Sequence, residues 1–235
     1  VLRGGIRAEF TPDGRLLVTG GGERRLLVQA SDGTLERYAD LTGVVTKGAI
    51  NEVVVDGRGH AFVNGSGYDM MAGEAPAPGP IVCVTSEGVG REVADSIHFG
   101  NGMAITPDDS TLIVAESHAA RLTAFAIAVD GSLDNRRVWA HLGDGAAPDG
   151  ICLDADGAVW YADVPNQHCV RVAEGGEVLD VVEADRGCFA CMLGGADGQT
   201  LFIAAAEWDG DAGMVSPETG QLLAARAPAP HDGRP

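Results

Sequence analysis

Three side chains with oxygen donors stand just ahead of short apolar runs at matching places along the chain. They are Asn51 in Ile50-Asn-Glu-Val-Val-Val, Asn101 in Phe99-Gly-Asn-Gly-Met-Ala, and Asp149 in Pro148-Asp-Gly-Ile-Cys. Cys191, in Cys188-Phe-Ala-Cys-Met, takes the matching place ahead of a fourth run. Carboxylate and amide oxygens are what a hard divalent cation such as calcium selects, with waters completing its shell. A plainer reading exists for each residue, because Asn or Asp before Gly is an ordinary turn pair, and Asn101-Gly102 and Asp149-Gly150 both fit it. Recurrence at equivalent places favours convergence on one site over three unrelated turns. Other catalytic signatures are missing: the sequence has no His-Glu-x-x-His, no Gly-x-Ser-x-Gly elbow and no phosphate-binding glycine loop.

The elements that must position these residues follow from a repeat. Glycine occupies 34 of 235 positions, which disfavours helices, and ten Asp-Gly pairs supply the positive φ angles that tight hairpin turns need. A unit of apolar strand, Asp-containing turn and second apolar strand recurs, with its marker aspartate at 13, 56, 108, 154 and 197. The intervals of 43, 52, 46 and 43 residues are those of a β-propeller, and each holds four strand-like runs, one blade. In a propeller the inner strand of each blade begins at the mouth of the central tunnel, so Asn51, Asn101 and Asp149 are expected to face one another across the axis. Stepping one period back from Asp13 leaves the chain, so the expectation is a six-bladed all-β propeller with about five blades in this sequence and the first one missing. Residues 1–226 form the single propeller domain of this reading, and the charge-poor 227–235 a disordered tail. Tyr68 to Pro80, rich in Pro, Gly and Ala, reads as a long loop between two strands of one blade, either a lid or a solvated excursion.

Composition narrows the partners. The net charge of −18, with no cluster of Lys and Arg, opposes nucleic acid and anionic membranes. No apolar run approaches the ~20 residues of a membrane helix. Val1 to Gly5 lack the apolar core of a secretory signal, and five cysteines are an odd count with no need for staples, so a cytoplasmic setting is expected. Asn64-Gly65-Ser66 matches a glycosylation triplet that is common by chance. Cys188-x-x-Cys191 has half the spacing of a zinc knuckle with no second pair at a suitable distance, and is read as packing. His118 is read as a surface residue, and Trp139, Trp160 and Trp208 as blade core.

The segments Asn51-Glu-Val-Val-Val-Asp56-Gly-Arg-Gly, Asn101-Gly-Met-Ala-Ile-Thr-Pro-Asp108 and Pro148-Asp-Gly-Ile-Cys-Leu-Asp154 resemble those of the senescence-marker-protein, gluconolactonase and luciferin-regenerating-enzyme-like family. The resemblance implies six blades, a divalent cation in the axial tunnel and lactone hydrolysis. It implies Asn101 and Asp149 as metal ligands, and Asn51, with Asn101, as substrate-binding groups. Calcium is the first expectation for the cation, with zinc, magnesium or manganese as alternatives. Such a cation polarises the lactone carbonyl and acidifies water, and Asp149 is the expected catalytic group that orients or deprotonates that water. The implied partner is a small lactone; oligomeric state is open. Two departures stand out: the family's N-terminal Glu ligand has no counterpart here, and Asn51-Glu52 replaces a common Asn-Asp. The rival expectations are an esterase or organophosphate hydrolase on the same site, and a propeller that binds without cutting.

Overall fold

The structure, a computed structural model, describes residues 7–210, 214–215 and 218–233. The leader reading at Val1 to Gly5 and the last two residues of the tail lie outside them. The described chain holds five successive antiparallel sheets, the blades of an all-β propeller. The first runs through β1 (Ala8–Phe10), β2 (Leu16–Gly20), β3 (Arg25–Gln29) and β4 (Leu35–Asp40). The second holds β5 (Ile50–Val55), β6 (Ala61–Gly65), β7 (Gly79–Val84) and β8 (Gly90–Ile97), and the third β9 (Gly100–Ile105), β10 (Thr111–Glu116), β11 (Arg121–Ile127) and β12 (Leu133–His141). The fourth holds β13 (Pro148–Leu153), β14 (Val159–Asp163), β15 (His168–Val172) and β16 (Val178–Glu183). The fifth pairs β17 (Gly187–Gly194) and β18 (Thr200–Ala206) with β21 (Gln221–Arg226), beside a two-stranded ribbon of β19 (Trp208–Asp209) and β20 (Met214–Val215). The fifth sheet therefore has three strands where four were expected, and no sixth blade is found among the described residues. No helix among them is long and apolar enough to cross a membrane.

The chain divides into two compact units, Val1–Asn101 with Ala126–Asn135, and Gly102–Phe125 with Arg136–Pro235. In the first, Leu17, Leu26, Leu41, Val53, Val63 and Val82 anchor one apolar cluster. In the second, one cluster centres on Ile113, Leu122, Trp139 and Val159, another on Trp160, Leu201 and Ile203. Burying each such side chain contributes roughly 1.5–3 kcal/mol. The inner strands of the fourth blade are buried on both faces: β13 and β14 are buried at every position, their apolar residues broken only by Asp149 and Asp163. The outer strands alternate, and β16 exposes Val178, Leu179 and Val181.

Each marker aspartate falls in the turn joining the first two strands of its blade. Asp154 Oδ1 accepts from the backbone amides of Asp156 and Ala158, both at 3.0 Å, which closes the turn on the side chain. Gly157 completes that turn at φ 79°, and in the third blade Asp109 takes the same left-handed conformation at φ 58°. Residues 227–233, where disorder was expected, are packed. Ala227 and Ala229 are buried, and Ala155 N donates to Pro230 O at 2.8 Å while His231 bridges Asp154. The tail is apolar enough to cover the fourth and fifth blades, and its backbone finds partners there. Trp139 and Trp160 lie in the core as expected, whereas Trp208, on the short β19, is 37% exposed.

Candidate functional site

Asn51, Asn101 and Asp149 each occupy the second position of the first strand of a blade, β5, β9 and β13. None is a turn residue, and none has positive φ. At two of them the ladder is irregular. Ile50 pairs with Gly65 and Val53 with Val63, so the β5 segment at Asn51-Glu52 carries one residue more than β6 opposite it. Pro148 pairs with Asp163 and Ile151 with Tyr161, which gives the same excess at Asp149-Gly150. Bulges of this kind re-aim a side chain out of the strict alternation of a strand, and proteins place them beside functional sites.

The equivalent irregularity in β17 bears out the packing reading of Cys191 and corrects its matching place in the strand. Cys188 pairs with Ala205, Ala190 with Ala204 and Cys191 with Ile203, so the extra residue is Phe189 and Cys191 matches Val53 and Ile151. Cys191 is a packing residue with its Sγ 3.5 Å from Gly150 O and 3.6 Å from Trp160 O. The bulge also puts Cys188 and Cys191 on one face, where they join Cys152 and Cys169 in an apolar cluster. Hydrogen bonding with the Cys152 and Cys169 thiols, together with burial, pushes the Cys191 thiol well above its ordinary value. Among the described residues no group of three or more His, Cys, Asp or Glu side chains is arranged to hold a metal ion. His118 is exposed on a short 3-10 turn.

In the first unit, Asn51 and Asn101 meet. Asn51 Nδ2 donates to Asn101 Oδ1 at 3.0 Å and approaches Gly100 O at 3.4 Å. Asn51 thus turns its donor end towards Asn101, the amide orientation being set by this network. Glu52 beside it lies 3.5 Å from Arg7 Nε, and burial raises its carboxyl above the usual range against the pull of Arg7. Asn64, wholly buried on β6, accepts from Glu52 N at 3.0 Å and donates to Asn101 O at 2.6 Å. Ser66 ties the base of the 66–78 loop to Ala49 N at 3.0 Å, and the Tyr68 ring stands 6.2 Å from that of Phe99. Phe99 immediately precedes β9, while Met71 at the tip of the loop is 95% exposed.

In the second unit, Asp149 is 8% exposed. The backbone just before it is held from two sides. Ser117 Oγ donates to Pro148 O at 2.6 Å, and Asp163 Oδ1 accepts from Ala147 N at 3.3 Å. A Cβ on Gly102 would lie 2.5 Å from both Asp149 O and Ile151 N, so β9 passes β13 at a distance that only glycine permits. A Cβ on Gly150 would meet Ala190 Cα at 2.8 Å, a second close approach. The glycines that suggested turns are spacers between backbones. A cleft of about 360 Å³, lined by Thr106, Trp139, Asp154 and Glu174, lies at the turns that end β9 and β13, away from Asp149 at the start of its strand.

Sequence reasoning missed Asn64, Ser117 and Asp163. A signal for two of them existed: the second strands close on buried polar residues, Thr19, Asn64, Glu116 and Asp163, each following a run of apolar ones. A buried polar group must be satisfied, so such a residue marks a built contact.

The chain matches the SMP-30/Gluconolactonase/LRE-like region over residues 3–207. It is 25% identical over 162 residues to 6-deoxy-6-sulfogluconolactonase of Pseudomonas putida, covering 67% of this chain and 56% of that protein. It is 30% identical over 162 residues to diisopropyl-fluorophosphatase of Loligo vulgaris, covering 61% and 49%. The chain thus spans about half the length of these relatives. Its fold matches the crystal structure of a calcium-binding protein, regucalcin, from Agrobacterium tumefaciens with a TM-score of 0.76 at 21% identity, covering 97% of this chain and 76% of that one.

Proposed function

The chain belongs to the SMP-30/gluconolactonase/LRE-like family, and from that premise we propose that it is a divalent-metal-dependent hydrolase that opens a small lactone. The observation that carries this reading is the shared strand position of Asn51, Asn101 and Asp149, which the family resemblance equips with roles. The name of the Pseudomonas putida relative supports a sugar-type lactone, and that of the Agrobacterium protein supports calcium.

The donor set fits a hard cation. Asn101 offers an amide oxygen and Asp149 a carboxylate, each on a strand whose backbone is pinned by a neighbouring side chain. Asn101 and Asp149 would hold the ion, which when bound supplies Lewis acidity towards a carbonyl and a more acidic water. Asp149 orients the attacking water and takes its proton. Asn51, its donor end turned to Asn101, orients the substrate by hydrogen bonding. Glu52, whose carboxyl burial raises above the usual range against the pull of Arg7, is a second acid–base group beside them. The finer architecture in this proposal is a six-bladed ring of which the chain supplies five blades, in line with the 76% of the regucalcin structure that it covers. A cytoplasmic location is part of the same proposal.

The test is hydrolysis of a sugar-lactone panel with calcium or zinc and then with excess chelator, on the wild-type chain and on Asp149→Ala. Turnover that chelator abolishes and calcium restores is the expected result, with Asp149→Ala folded, inactive and unable to bind calcium. Turnover that is indifferent to chelator refutes the metal assignment. The fluorophosphatase relative favours one second reading, an ester or organophosphate substrate at the same site, and activity confined to such substrates would select it. Metal binding without turnover on either panel would select a binding scaffold.

A further inference from the structure

We propose that Asn64 is the positioning residue of this site: its carboxamide fixes the Asn51-Glu52 bulge to the backbone of Asn101, and so sets the Asn51–Asn101 pair. Asn64 is completely buried on the second strand of its blade. Its Oδ1 accepts from Glu52 N at 3.0 Å, and its Nδ2 donates to Asn101 O at 2.6 Å. The bulge leaves Ile50 and Val53 as successive ladder partners, and the Glu52 amide between them is satisfied by this side chain. A buried amide proton and a buried carbonyl oxygen on two different strands call for one acceptor and one donor at fixed separation. A carboxamide supplies both; an apolar side chain supplies neither. The side chain is also wedged. A Cβ on Gly100 would stand 3.2 Å from Asn64 Cβ and Nδ2, so Asn64 fills the space that the missing Gly100 side chain leaves.

The consequence is geometric. Asn51 precedes the anchored Glu52, and Asn101 carries the anchored carbonyl, so both ends of the 3.0 Å contact between Asn51 Nδ2 and Asn101 Oδ1 are set by one side chain. The same residue lies in a glycosylation triplet, and its burial shows that in the folded protein Asn64 faces inwards and bonds to backbone. Its bearing on catalysis rests on the hydrolase reading above. Its bearing on the Asn51–Asn101 pair does not.

The experiment therefore keeps two readouts apart: hydrogen exchange of side-chain and backbone amides by NMR, and turnover of the lactone panel. In the wild-type chain the Asn64 carboxamide protons and the Glu52 amide should exchange at least about tenfold more slowly than the carboxamide of the exposed Asn135. Rapid exchange of the Asn64 carboxamide there overturns the proposal without any variant. Asn64→Leu keeps the number and branching of the side-chain heavy atoms and removes both hydrogen bonds but adds bulk, and Asn64→Ala removes both bonds without adding any, so an effect shared by the two belongs to the lost bonds. In either folded variant the Asn51 carboxamide should lose its protection, with the Trp160 indole signal unmoved. Turnover should fall about tenfold to a hundredfold in kcat, since displacement of a reacting group by about 1 Å costs about that much. Wild-type exchange at Asn51 in Asn64→Leu would make Asn64 a space filler and overturn the proposal. Lost protection in the variants, from a wild type that hydrolyses nothing, would sustain the positioning role and refute the hydrolase reading instead.

Discussion

Beside Asp149 two backbones approach closely, and substituting Gly102 by alanine measures that approach. The new Cβ would stand 2.5 Å from Asp149 O, 2.5 Å from Ile151 N and 2.9 Å from Gly150 C. Ordinary contacts of a Cβ begin at about 3.4 Å, so one strand must retreat by nearly an ångström. No flexible side chain can absorb that shift, because all three nearest atoms belong to the β13 backbone. Overpacking of this kind costs about 1–3 kcal/mol. For a chain of this size each kcal/mol lowers Tm by about 2–4 °C, so Gly102→Ala should melt about 2–12 °C below wild type. Turnover measured well below both melting points should fall by about a hundredfold, because Asp149 moves with its backbone. Gly43→Ala is the control: nothing lies within 4 Å of its Cβ and its φ is not positive, so it should stay within about 0.5 kcal/mol of wild type. A Gly102→Ala protein with wild-type Tm and turnover would refute the close approach of β9 and β13.

Two further outcomes follow from buried charges. Burial opposes ionisation of Asp56, but hydrogen bonds from His60 and Arg58 outweigh it and hold its carboxyl below the usual range. A lowered native pKa contributes stability that is complete above the unfolded value of about 3.9 and is lost as pH falls through the native value. Asp56→Asn should therefore show a shallower fall of unfolding free energy between about pH 4 and pH 2 than wild type in urea titrations, and an unchanged slope would contradict the assignment. Arg171 Nε lies 2.6 Å from Asp154 Oδ2, with side chains only 10% and 0% exposed. Arg171→Ala leaves that carboxylate buried and uncompensated, at a cost of about 3–5 kcal/mol in urea unfolding, whereas losing the exposed Arg15–Asp13 pair should cost under about 1 kcal/mol. Equal effects of the two would show that Asp154 is not desolvated.

The blades were legible because their causes are local. Asp-Gly turns and apolar runs are written in consecutive residues, and the marker aspartates at 56 and 154 close the turns on which they were counted. The boundary of the ordered chain was not legible in the same way. Residues 227–233 carry few charges and two prolines, a composition that suits a loose end, yet their backbone pairs with Gln199, Gly198 and Ala155, partners far away in sequence. Four cysteines in one cluster likewise escaped a reading by spacing, because the face they share depends on the bulge in β17.

The same distinction decides how much of the candidate site could be read. Residue type picked out Asn51, Asn101 and Asp149, since oxygen donors are rare at the heads of apolar strands. What makes them a constellation is register, and register belongs to pairs of strands. One extra residue at Asn51-Glu52 against β6, and one at Asp149-Gly150 against β14, re-aims side chains that strict alternation would have spent on packing. A bulge takes backbone groups out of the ladder, and those groups must be met elsewhere. Asn64 meets Glu52 N and Ser117 meets the Pro148 carbonyl, while the glycines at 102 and 150 let β9 and β17 approach the β13 backbone closely. The polar residues that close the second strands are thus the counterpart of the oxygen donors that open the first ones. The matching place was assigned to Cys191 for the same reason that Asn64 was overlooked. Counting along one strand placed a thiol where pairing with its neighbour places Phe189, and a fifth blade with an aromatic ring at that position offers no oxygen donor there.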